Sequence, residues 1–68
     1  MNEREVQKAE LRRLIRNIGM LYSSASHKAH NKQDPFAIYH FAQAMAYEEC
    51  INIIKRHYSD EMKEEDWV

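Results

Sequence analysis

Apolar residues return at every third or fourth position through most of the chain. Leu11, Leu14, Ile15, Ile18, Leu21, Tyr22, Ala25 and Ala29 keep the 3.6-residue period of an amphipathic α-helix. At 100° per residue they gather within roughly 60–80° of one direction, while Arg12, Arg13, Arg16 and Asn17 point the other way. The pattern predicts a first helix from about residue 3 to about residue 30. Its weak point is Ser23, Ser24 and Ser26, whose hydroxyls compete for backbone hydrogen bonds and favour fraying or a bend.

Residues 31–34 read as a turn. Asp34 is a good helix cap, and Pro35 belongs at a first helical position, where its missing N–H costs nothing. A second helix is expected over residues 35–58. Its stripe of Phe36, Tyr39, Gln43, Ala46, Tyr47, Cys50, Ile53, Ile54 and His57 should face the first helix. At 1.5 Å per residue the two helices would be similar in length, roughly 36 Å or more. An antiparallel two-helix hairpin over residues 1–60 follows, an all-α fold, with an acidic tail over 61–68 that is expected to fray.

The first half of the second helix carries another apolar stripe. Ile38, Phe41, Ala42 and Met45 lie roughly 100–200° from the residues expected to face the first helix. Beyond Met45 this side turns polar, with Glu48, Glu49, Asn52 and Arg56. One partner helix cannot cover both sides of another. Either the first helix wraps over the patch, Trp67 folds back on it, two hairpins join in a four-helix bundle, or a different protein docks there. Self-association is the reading the pattern favours. Ile38, Phe41, Ala42, Met45 and Trp67 are therefore the candidate partner-binding residues. The terminal Asp66-Trp67-Val68, an aromatic beside a free carboxylate, has the form of a partner-binding peptide end.

Composition narrows the chemistry. Sixty-eight residues make one small domain, and small domains lean on disulfides, metals or self-association. Cys50 is the only cysteine, so no disulfide can form within the chain, and with no long apolar run the expected compartment is the cytoplasm, away from the membrane. One glycine and one proline suit helices better than hairpin-rich β-structure. The net charge of −1 is no footprint for nucleic acid. It conceals an asymmetry. Residues 1–33 hold seven basic and three acidic side chains, a balance of +4, whereas residues 34–68 hold three and eight, −5. Antiparallel helices of opposite charge would attract each other.

Four histidines raise the question of metal. On the helical wheel His27 faces away from the core, His30 and His40 flank it, and no Glu-x-x-His pair occurs. Neither a metal site nor a cofactor is expected, though a histidine-based metal-binding protein is the competing class of function. Cys50 and His57 share a face but stand two turns apart, about 10 Å, too far for a base to activate the thiol. Cys50 is expected in the core. With no catalytic residue indicated, the sequence describes a small non-catalytic regulatory or inhibitory protein that binds itself, another protein, or both.

Overall fold

A computed structural model describes residues 2–67 as two long α-helices and one short 3-10 helix, with no strand among the described residues. Helix α1 spans Glu3–Ala29. The Asn2 side-chain oxygen accepts the Glu5 N–H at 2.9 Å, giving a partner to a donor that the helix cannot satisfy itself. The serines leave α1 unbroken. Packing explains this: Ala25 among them is 5% exposed, and tertiary burial outweighs local propensity.

Helix α2 spans Ala37–His57. The Asp34 carboxylate accepts the Phe36 N–H at 2.8 Å, and the Asp34 carbonyl accepts the Ala37 N–H at 3.2 Å. These bonds close a turn around Pro35, so the regular helix starts at Ala37 rather than at Pro35. The two helices pack together as a hairpin measuring 49 × 20 × 15 Å.

The contact between them differs from the sequence expectation. The covered positions of α2 are Ala37, His40, Gln43, Ala44, Tyr47, Ile51 and Ile54. This line is turned by roughly 80° from the expected stripe, with Gln43, Tyr47 and Ile54 common to both. Phe36, Tyr39, Cys50 and Ile53, all expected inside, are exposed, as are Leu14 and Leu21 of α1. Cys50 is therefore a surface residue and not a core one. Helix approach supplies the reason. With Ala25 and Ala29 on α1 and Ala37 and Ala44 on α2, the backbones come close, whereas facing aromatic and branched side chains would hold them apart.

Up to Trp67 the tail is packed rather than frayed. Met62, 2% exposed, continues the α2 line past the end of the helix, and its N–H donates to the Tyr58 carbonyl at 2.8 Å. The 3-10 helix Glu64–Trp67 follows and packs on α1. Arg12 donates to the Asp66 carbonyl at 3.1 Å, and the Lys8 ammonium lies 3.4 Å from the Asp66 carboxylate. Charge asymmetry between the two halves is thus realised locally, where the basic first half meets the acidic tail.

Candidate functional site

Rotation of α2 fixes what its outer side presents. With Ala37, Ala44 and Ile51 turned inward, Ile38, Phe41, Ala42 and Met45 face away from the hairpin. Ile38 is 87% exposed, Phe41 57% and Met45 43%. These three large side chains expose on the order of 350 Å², taking full areas of about 200 Å² each. The largest apolar patch on an ordinary monomer is about 300–600 Å² and is often functional. The patch ends where Glu48, Glu49 and Asn52 begin, and the Arg56–Glu49 pair at 3.6 Å there is fully on the surface.

Trp67 does not belong to this patch. It is half-buried at the open end of the hairpin, in a segment held to Lys8 and Arg12, whereas Ile38 lies in the first turn of α2 beside the chain reversal. There Trp67 and Met62 help line an open groove with Lys55, Ser59, Lys63 and Glu64. The five candidate residues therefore fall on two separate surfaces. Val68, with the terminal carboxylate, lies outside the described residues.

The histidines are dispersed. His27, His30 and His57 are exposed. The His30 ring Nδ1 is 2.7 Å from the Ser26 carbonyl, and His57 packs edge-on against Tyr58 at 5.0 Å. His40 alone is partly covered. Its Nε2 sits 3.5 Å from the Asp34 carboxylate and its Nδ1 3.0 Å from Gln43 Oε1. These contacts tie the chain reversal to the first turns of α2. No three His, Cys, Asp or Glu side chains converge as metal ligands among the described residues, and no described helix is long and apolar enough to cross a membrane.

One carboxyl group is electrostatically distinctive. The Lys63 N–H, donating to Asp66 Oδ2 at 2.9 Å, holds the Asp66 carboxyl below the usual aspartate value, and Lys8 adds to the effect. No family model matches the chain, and neither a curated protein nor a solved structure matches it. The reading of function therefore rests on these surfaces.

Two features escape the sequence pattern. Met62 and Asp66 anchor the tail, and Leu14, Leu21, Tyr39 and Ile53 leave the helix interface for the surface. For the tail a signal was present, since Met62 stands at helical spacing from Ile51, Ile54 and Tyr58.

Proposed function

We propose that the protein is a small non-catalytic regulatory or inhibitory protein that acts by protein–protein binding through the outer side of α2, and that it works in the cytoplasm as a homodimer of hairpins forming a four-helix bundle. The exposed Ile38–Phe41–Met45 patch carries the partner-binding part of this reading. Leaving it in water forgoes roughly 1.5–3 kcal/mol per large side chain, a heavy loss for so small a domain unless the patch is covered in use. Its edges are sharp: apolar up to Met45, charged from Glu48 onward.

The test compares wild type with Phe41→Glu/Met45→Glu as bait in pull-downs from the native cell. Both positions are already exposed, so the variant should retain its helical circular dichroism. Loss of a specific captured protein in a folded variant is the expected result. Identical capture by both forms would overturn the assignment of this patch.

A further inference from the structure

We infer that the second copy in the homodimer covers one broad side of the hairpin, the side bearing Leu14, Leu21, Tyr39, Ala46, Cys50 and Ile53, and leaves the Ile38–Phe41–Met45 patch open. This inference rests on the homodimer proposed above and assigns its surface.

The tail shows which helix edges share a side. On a helical wheel, Lys8 and Arg12 lie to one flank of the covered line of α1, while Leu14 and Leu21 lie to the other. On α2, Lys55 and Ser59 lie to one flank, and Tyr39, Ala46, Cys50 and Ile53 lie roughly 90–150° the opposite way. The tail meets the first flank of both helices, contacting Lys8 and Arg12 on α1 and forming the groove with Lys55 and Ser59 on α2. Those flanks are therefore on the same side of the hairpin. It follows that Leu14 and Leu21 share the other side with Tyr39, Cys50 and Ile53, whereas the tail contacts the opposite flank.

Leu21 is 51% exposed, Leu14 44%, Tyr39 61% and Ile53 50%. Their spacing is that of a bundle seam. Leu14 and Leu21 are one heptad apart, Tyr39, Ala46 and Ile53 mark two heptads, and Cys50 falls at the intermediate position. Heptad repeats on both helices of a hairpin suit packing against two further antiparallel helices.

Size and charge point to another copy of this chain as the occupant. A side of 49 by 20 Å offers an area on the order of the 800 Å² that each partner contributes to a standard interface. The seam positions are uncharged. Placing two copies with their turns at the same end sets the first half of each, at +4, against the second half of the other, at −5.

Light scattering first establishes the mass of the wild-type protein, and a monomer at every concentration would overturn both the homodimer and this assignment. Given a dimer, Leu21→Glu/Ile53→Glu should raise the dissociation constant at least roughly 100-fold, while Phe41→Glu/Met45→Glu leaves it within about threefold. A dimer that survives Leu21→Glu/Ile53→Glu, or one lost in both variants, would overturn the assignment while leaving the homodimer standing. Should the first variant not fold, the unmodified protein decides through Cys50, which is exposed in the single hairpin. Its alkylation rate should fall about tenfold between dilute and dimeric protein; a rate independent of dimerisation overturns the assignment.

Discussion

Met62 and Met20 are the same residue type with opposite fates. Met62 is 2% exposed and Met20 65%. Truncating Met62 removes the side chain that closes the open end, and Met62→Ala should cost about 2–4 kcal/mol. Met20→Ala should change stability by no more than about 0.5 kcal/mol. Urea denaturation of both variants checks the contrast, and equal midpoints would mean that the tail is not packed. Residue type did not separate the two methionines. Spacing did: Met62 stands four residues after Tyr58 and eight after Ile54, whereas the positions three and four residues from Met20 are Arg16, Asn17, Ser23 and Ser24, the polar side of α1. Cys50 is where spacing failed: a small apolar residue on a plausible stripe was expected inside, and the rotation of α2 put it outside.

At the scale of elements, the beginnings and ends of the helices follow local chemistry. Asn2 caps α1 and Asp34 closes the turn before α2, as short polar side chains do wherever backbone N–H groups lack partners. Gly19, in the middle of α1, is an exception to good helix design. A β-carbon placed there meets nothing within 4 Å, and the backbone is not in a conformation reserved for glycine. Gly19→Ala should therefore stabilise the protein by about 1 kcal/mol, read as a rise in thermal midpoint. A fall would show that an approach to Gly19 matters in the assembled protein. The rotation of α2 about its own axis was the element property that periodicity could not supply. Apolar positions occupy more than half of its circumference, so several facing directions satisfy the 3.6-residue period. The choice went to the direction with alanines at the crossing.

For the whole molecule, the opposite charge of the two halves is expressed, among the described residues, in one cross-element ion pair between Lys8 and Asp66. Because the folded state holds the Asp66 carboxyl below its unfolded value, this contact contributes fully above the ordinary aspartate pKa. It is lost as pH falls through the lowered value, so the loss occurs below about pH 4. Acid should loosen the tail, read as a fall in thermal midpoint and a change in Trp67 fluorescence over that range. Asp66→Asn should flatten this part of the response, and an unchanged profile would remove Asp66 from the account. The two uncovered apolar surfaces also belong to this scale. One lies along the outer side of α2 and one along the broad side of the hairpin, as a homodimer with room for a further partner would require.

By itself the sequence determined that the chain forms two helices, where it reverses, and that more apolar surface exists than one hairpin can cover. Periodicity, caps and the Asp34-Pro35 step are local properties, legible in runs of a few residues. Only the tertiary structure decided which face of each helix turned inward, that Met62 would fill the open end, and that Trp67 would sit far from Ile38. Those outcomes depend on how closely two backbones can approach and on contacts between residues as far apart as Arg12 and Asp66. No local pattern encodes them.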